Sequence, residues 1–228
     1  MNEKKIIVAL DNDNIESSIS LVEILKKEAF AFKIGYEFFL NFGISGYKSV
    51  QEKGVKIFLD LKLHDIPNTV KNGIKAIAKL KPYFTTIHIS GGDEMQKMAV
   101  LMKNNTKIIG VSILTSLDST QTKKYYNEKN VEKIVADFIN FSKINKLDGI
   151  VCSPKEIEII KKMSLNKFII ITPGIRTLNF LNKNDDQKRT MTPKEAIDLG
   201  ADYLVIGRPI TLSSDPLNEI RSINSSIA

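Results

Sequence analysis

The sequence predicts a single-domain α/β protein folded as a closed (β/α)8 barrel, and three observations carry that reading. Eight short β-branched runs alternate with longer stretches of helical period along the 228 residues. Shared among eight units, the chain provides about 28 residues per unit, the size of one strand, one helix and their loops. The first strand is followed by Asp11-Asn12-Asp13-Asn14, where an open dinucleotide-binding sheet would carry a glycine fingerprint. Strict alternation of strand and helix requires parallel strands inside and helices outside.

The elements follow in chain order. Strand one covers 5–11: Ile6 to Leu10 is apolar and Asp11 ends the run. That run is too short for a signal-peptide core, and no small-residue cleavage site follows it. An amphipathic helix over 15–28 leads to strand two, 31–35, which carries Lys33 at its end. Gly54 stops the next segment before strand three, 56–62. The helix over 69–80 begins beside Pro67, a first-turn proline, with Asn68 as a turn or capping residue. Strand four (84–90), a helix over 94–103, strand five (107–114), a helix over 131–146, strand six (148–152), a helix over 155–163 and strand seven (168–172) continue the alternation. Residues 177–190 are polar, unpatterned and directly after a strand. In a barrel that is a loop on the catalytic face, and its length makes it a lid candidate. Thr192 and Pro193 open a helix over 193–199, Gly200 stops it, strand eight covers 203–206, and a last helix runs from about Leu217. No linker, composition shift or low-complexity segment interrupts residues 1–228, so one domain is expected.

Composition excludes several classes. Hydrophobic residues are 43% and charged residues 26%, which is ordinary globular usage and unlike a disordered chain. No run approaches the ~18 consecutive apolar residues of a membrane span, so no membrane partner is expected. Cys152 is the single cysteine; it rules out an internal disulfide and favours a cytoplasmic location. With no general base near it in sequence, it reads as a small buried hydrophobe. The net charge is +7, but the lysines are scattered in pairs, there is no tryptophan, and basic and aromatic residues do not interleave. Nucleic acid is therefore not an expected partner.

In a barrel the C-terminal strand ends share the catalytic face. Polar residues there are Asp11, Lys33, Asp60, Lys62, Asp65, the run from His88 to Asp93, Thr115, Arg176 and Arg208. Strand three is the most informative. Period two puts Asp60 and Lys62 toward the barrel interior and Leu59, Leu61 and Leu63 toward the helices. Opposite charges near a dry interior need partners, and Lys33 is a neighbour able to supply one. Such a Lys–Asp–Lys cluster has two readings, a catalytic group or an ion-pair plug that closes the barrel. A separate signal comes from Thr172-Pro173-Gly174-Ile175-Arg176 and Gly207-Arg208-Pro209-Ile210-Thr211. Glycine lets backbone approach an anion, arginine offers a fork of donors, and the loops after strands seven and eight are a frequent phosphate site in these barrels. His64 and His88 read as turn or core residues, not metal ligands. Asp118, Tyr125 and Tyr126 read as surface or interface residues without a chemical role.

The run Asp60-Leu61-Lys62-Leu63-His64-Asp65-Ile66-Pro67-Asn68-Thr69 resembles the signature of the orotidine 5′-phosphate decarboxylase family. Val8-Ala9-Leu10-Asp11, Phe32-Lys33-Ile34-Gly35, His88-Ile89-Ser90-Gly91-Gly92, Leu114-Thr115-Ser116, the two phosphate turns and Asp186-Gln187 match in order, so the resemblance covers residues 5 to 211. It implies decarboxylation of orotidine 5′-monophosphate to uridine 5′-monophosphate and CO2, the last step of de novo pyrimidine synthesis, with no metal or organic cofactor, in a homodimer. Lys33, Asp60, Lys62 and Asp65 would form a charged catalytic tetrad, with Lys62 the proton donor and an aspartate beside the substrate carboxylate. Asp65 and Thr69 would enter the neighbouring subunit's site. Asp11 and Lys33 would hold the ribose hydroxyls, and Thr115 would lie at the pyrimidine with backbone help from Pro173. Arg176, Gly207 and Arg208 would bind the phosphate, and Gln187 would bridge phosphate and base from the lid. Thr177 departs from the pattern, since many members carry proline there.

Two other functions stay open at the level of sequence. A Mg2+-dependent phosphosugar decarboxylase or an epimerase on the same barrel would present a carboxylate where Lys33 stands. A non-enzymatic barrel would keep the charges for stability and bind uridylate without turning over orotidylate.

Overall fold

The structure is a computed structural model and describes residues 3–163, 168–176 and 191–228. Eight parallel strands form a closed barrel in chain order, with β1 pairing both β2 and β8. They are β1 (Ile6–Ala9), β2 (Ala31–Ile34), β3 (Ile57–Leu63), β4 (Phe84–His88), β5 (Lys107–Val111), β6 (Gly149–Val151), β7 (Ile169–Thr172) and β8 (Tyr203–Ile206). Around them lie α1 (Ile15–Leu25), α2 (Tyr36–Gln51), α3 (Pro67–Leu80), α4 (Asp93–Met102), α5 (Ser119–Tyr126), α6 (Val131–Ile144), α7 (Ile157–Met163), α8 (Pro193–Leu199), α9 (Arg208–Thr211) and α10 (Pro216–Ser226). No helix among the described residues is long and apolar enough to cross a membrane.

The expected barrel is the observed one, with three local differences. Helix α5 fills a stretch to which the apolar pattern assigned no element, and α2 fills the segment that Gly54 was expected to stop. In α2 the period is broken at Gly43, whose φ of 57° interrupts the helix. In α5 Thr122 is the buried residue, so little apolar stripe exists to read; the helix is fixed by a capping box between Asp118 and Gln121. Third, Asn68 does not cap α3: Ile66 takes the N-cap position and Pro67 the first turn. Thr192 does cap α8, through a reciprocal box with Glu195, and Gly200 ends that helix at φ 113°.

Side chains segregate into two layers, as period two demands. Ile7, Ala9, Ala31, Phe58, Phe84, Ile109, Ile171 and Val205 fill the barrel interior. Leu59, Ile87 and Ile108 point outward into the larger core beneath the helices, with Leu61 and Leu63 packed against it. The N-terminal end of the barrel is closed by aromatic rings: Phe30 stacks on Tyr203 at 4.1 Å and meets Tyr83 edge-on at 5.5 Å. Burying rings such as Phe58 and Phe84 contributes about 1.5–3 kcal/mol each. The middle of the interior is therefore apolar, with the Lys56 and Lys107 ammonium groups over the aromatic rings at its N-terminal end and a charged cluster at its C-terminal rim.

One irregularity shapes that rim. Leu59 pairs with Thr85 and Leu63 with Ile87, so four steps along β3 face two along β4. Asp60, Leu61 and Lys62 thus bulge opposite the single residue Thr86. Lys62 takes φ 43°, a left-handed conformation that disfavours a non-glycine residue by roughly 1–2 kcal/mol. Two threonine hydroxyls take over from the interrupted ladder. Thr85 donates to the Leu59 carbonyl at 2.9 Å, and Thr86 accepts the Lys62 N–H at 2.8 Å.

Candidate active site

Asp60 sits at the top of β3, only 7% exposed. The Lys62 ammonium lies 2.7 Å from its Oδ2, and the Lys33 ammonium, from β2, lies 4.0 Å from the same oxygen. Lys33 also reaches Asp11 Oδ1, past the end of β1, at 3.0 Å. The second oxygen of Asp60 accepts a hydrogen bond from the Thr86 hydroxyl at 2.9 Å. Four side chains from three neighbouring strand ends therefore form a row of alternating charge: Asp11, Lys33, Asp60, Lys62.

Electrostatics follow from this geometry. Burial alone pushes the Asp60 carboxyl upward, but the charges of Lys33 and Lys62, with hydrogen bonds from Lys62 and Thr86, outweigh it and hold the group below the ordinary aspartate value. Lys33 fills the space between the Asp11 and Asp60 carboxylates that a divalent cation would need. Gly35 keeps that space open: a Cβ there would stand 2.9 Å from the Lys33 Nζ and 3.1 Å from Asp11 Oδ1.

Sequence periodicity predicts that Asp60 and Lys62 share a face, and they do, but by another route. Lys62 leaves regular strand geometry at the bulge. Its ammonium bends back onto Asp60 and its backbone N–H turns to Thr86. Tyr36 supports the bulge from α2 by donating its hydroxyl to the Leu61 carbonyl at 3.0 Å, and its ring lies 5.9 Å from the Lys62 ammonium. His64 lies in the turn after β3, exposed and stacked on His88 at 5.1 Å. Burial, then the proximity of His64 and of the Lys62 charge, lowers the His88 pKa to about 4, so that ring is neutral at pH 7. Among the described residues no cluster of three or more His, Cys, Asp or Glu has metal-site geometry.

A cavity of about 230 Å3 opens over these charges, and Lys33, Asp60, Lys62, Thr115 and Pro173 all line it. Its far wall is apolar, built by Ile113, Val151, Cys152 and Val205. Cys152 is fully buried, and burial pushes its thiol well above the ordinary range, which fits packing and not nucleophilic attack. Larger hollows of about 520 and 770 Å3 lie at the opposite, N-terminal end of the barrel, lined by residues such as Lys53, Gly54 and Lys81. Convergent opposite charges over an apolar wall, not volume, mark the first as the candidate site.

The remaining expected residues fall as follows. Arg176 follows β7, is 6% exposed, and donates Nη1 to the Ile175 carbonyl at 3.0 Å; Gly174, at φ 77°, turns the chain before it. Gly207 and Arg208 follow β8, beside β7 in the barrel, with Arg208 exposed at the start of α9. Asp65 and Thr69 are exposed and are not among the residues lining this cavity; Asp65 accepts the Ile66 N–H at 2.6 Å. Gln187 and the expected lid at 177–190 lie outside the described residues. The flanks of that segment are paired, Ile175 bridging Met191 and the Arg176 N–H donating to the Met191 carbonyl at 3.0 Å. Thr86, Tyr36 and Gly35 were not singled out from the sequence. The available signal for Thr86 was phase: it lies between Phe84 and His88 at the inward positions of β4, a polar residue where an apolar one is expected.

Known proteins resemble this chain over nearly its full length. The family model described as orotidine 5′-phosphate decarboxylase / HUMPS family matches residues 4–223. An orotidine 5′-phosphate decarboxylase from Wolbachia sp. subsp. Brugia malayi is 43% identical over 225 residues, covering 98% of this chain and 99% of the relative. One from Coxiella burnetii is 39% identical over 231 residues, covering 99% and 97%. Among solved structures, orotidine 5′-phosphate decarboxylase from Lactobacillus acidophilus superposes with a TM-score of 0.81 at 36% identity, covering 99% of each chain.

Proposed function

The chain belongs to the orotidine 5′-phosphate decarboxylase / HUMPS family, and on that premise we propose how its rim residues carry out the reaction. The reaction is decarboxylation of orotidine 5′-monophosphate, a step of pyrimidine biosynthesis. The observation that carries the assignment of roles is the Lys33–Asp60–Lys62 cluster at the mouth of the cavity.

Loss of CO2 from C6 of the pyrimidine leaves a vinylic carbanion with little resonance help. A cation held at C6 stabilises charge that exists only as the bond breaks. Lys62 is that cation and then delivers the proton to C6. Asp60 fixes its position and faces the substrate carboxylate. Asp11 and Lys33 hold the ribose hydroxyls. Thr115 and Pro173 contact the base, and Arg176, Gly207 and Arg208 bind the phosphate, whose binding energy is available to position the reacting ring. Conversion is read as the loss of orotidylate absorbance on adding protein, with no added metal and again in excess chelator. We expect turnover in both. Uridylate binding without turnover would mark a binding barrel, and turnover abolished by chelator would mark a metal-dependent relative.

Asp65 serves the neighbouring subunit of a homodimer in this reading. Its support is placement: Asp65 stands on an exposed turn outside its own cavity. Ile66, next to it in that turn, is an apolar residue 68% exposed. A two-fold interface is isologous, so each subunit gives and receives one Asp65. K62A and D65A homodimers are then each nearly inactive. A mixed dimer places both lesions in one site and none in the other, so random exchange returns roughly a quarter of wild-type activity. Exchange is verified by mass-tagged subunits; no return of activity in proven mixed dimers overturns the shared site.

A further inference from the structure

We infer that Thr86 is a positioning residue for the decarboxylation: its single hydroxyl fixes the backbone and, through Asp60, the ammonium of Lys62. The inference rests on the roles proposed above for Asp60 and Lys62.

The hydrogen bonds admit one arrangement. A backbone N–H only donates and an ionised carboxylate only accepts. The Thr86 oxygen, 2.8 Å from the Lys62 nitrogen and 2.9 Å from Asp60 Oδ1, therefore accepts from the first and gives its own proton to the second. Asp60 Oδ2 remains for the Lys62 ammonium at 2.7 Å. The result is a closed loop of contacts: Thr86 to the Lys62 backbone, along the Lys62 side chain to Asp60, and from Asp60 back to Thr86. Each member is restrained at both ends.

The bulge explains why this hydroxyl is needed. Three residues of β3 face one of β4, so the Lys62 N–H has lost its regular ladder partner, and Lys62 stands in a left-handed conformation disfavoured for a lysine. Strain at such a position persists only where surroundings over-determine it. Thr86 is fully buried, so water does not replace its oxygen at either contact. Serine retains this chemistry; valine retains the shape and removes it.

The test compares T86V, T86S and T86A with wild type and K62A. We expect T86V to lower kcat by about 10–100-fold with KM for orotidylate changed little, because the loss is in alignment of the reacting cation. T86S should restore most of that rate. The acidic limb of the kcat/KM–pH profile should move to higher pH in T86V, since removing a hydrogen bond to the carboxylate raises the Asp60 pKa. Should T86V not fold, T86S and T86A, which differ by the hydroxyl alone, answer the same question, with T86A slow and T86S fast. Wild-type kcat in T86V, equal losses in T86S and T86A, or a loss confined to KM overturns the inference. Turnover by K62A near the wild-type rate overturns the assignment of Lys62 beneath it, which separates the two failures.

Discussion

Lys62→Ala should leave a folded protein that binds uridylate within about tenfold of wild type and has lost at least ~10⁴-fold in kcat. The magnitude combines two roles of one group: electrostatic stabilisation of a carbanion, typically 10²–10³-fold, and proton donation, typically 10²–10⁴-fold. Both are exerted on the transition state, so product affinity should change little. The fold should survive for three local reasons. Alanine at φ 43° is no more strained than the lysine it replaces. Asp60 keeps Thr86 at 2.9 Å and Lys33 at 4.0 Å, so its charge is not orphaned. The Lys62 side chain is also 27% exposed, so its removal leaves no sealed cavity. Steady-state decarboxylation, uridylate titration and thermal melting separate the possibilities. A variant that keeps a substantial fraction of wild-type kcat removes Lys62 from the chemistry, and one that fails to fold makes the cluster a structural plug.

Asp60→Asn is the complementary lesion and should damage stability as well as rate. The carboxylate accepts from Lys62 on one oxygen and from Thr86 on the other, while an amide has one acceptor oxygen for both. Lys33 keeps Asp11, but Lys62 loses its counter-charge within a partly buried site. Removing one partner of a buried pair costs about 3–5 kcal/mol, and the partial exposure of Lys62 places this case toward the lower end. That corresponds to a fall of about 6–12 °C in Tm for a domain of this size. Misplacement of the Lys62 ammonium should lower kcat by at least ~10²-fold. The pH dependence has a definite sign. The native Asp60 pKa is depressed, so its contribution is complete above the unfolded aspartate value and is lost as pH falls through the native one. The Tm gap between wild type and D60N should be flat from pH 7 to about 5 and close below about pH 4. A gap that widens on acidification contradicts the depressed pKa.

The barrel was legible because its signals are local. Short β-branched runs in strands such as Phe84–His88, buried along their length, and helical period in segments such as Val131–Ile144 follow from which residues are buried, and that is written within a few residues. Charged residues at strand ends were legible for the converse reason: Asp60 and Lys62 interrupt an apolar run, and burial without partners is too costly for charge to stand there idly. The phosphate turns at Gly174–Arg176 and Gly207–Arg208 were visible from residue type and strand position. Helix α5 was not, since it is held by the Asp118–Gln121 box and not by an apolar stripe. The composition of the site, then, was set by the chain itself: which strands bear charge, and that Lys33, Asp60 and Lys62 gather at one rim. Tertiary structure alone decided who holds whom. Whether Lys33 leans on Asp11 or Asp60 depends on how the ends of β1, β2 and β3 stand together, and whether Lys62 continues β3 or turns out of it depends on the stagger between β3 and β4. That stagger is held by the Thr85 and Thr86 hydroxyls, 26 and 24 residues from the β3 groups they bond. A bulge leaves almost no mark on the strand that contains it, because the groups that satisfy its freed backbone stand on the next strand.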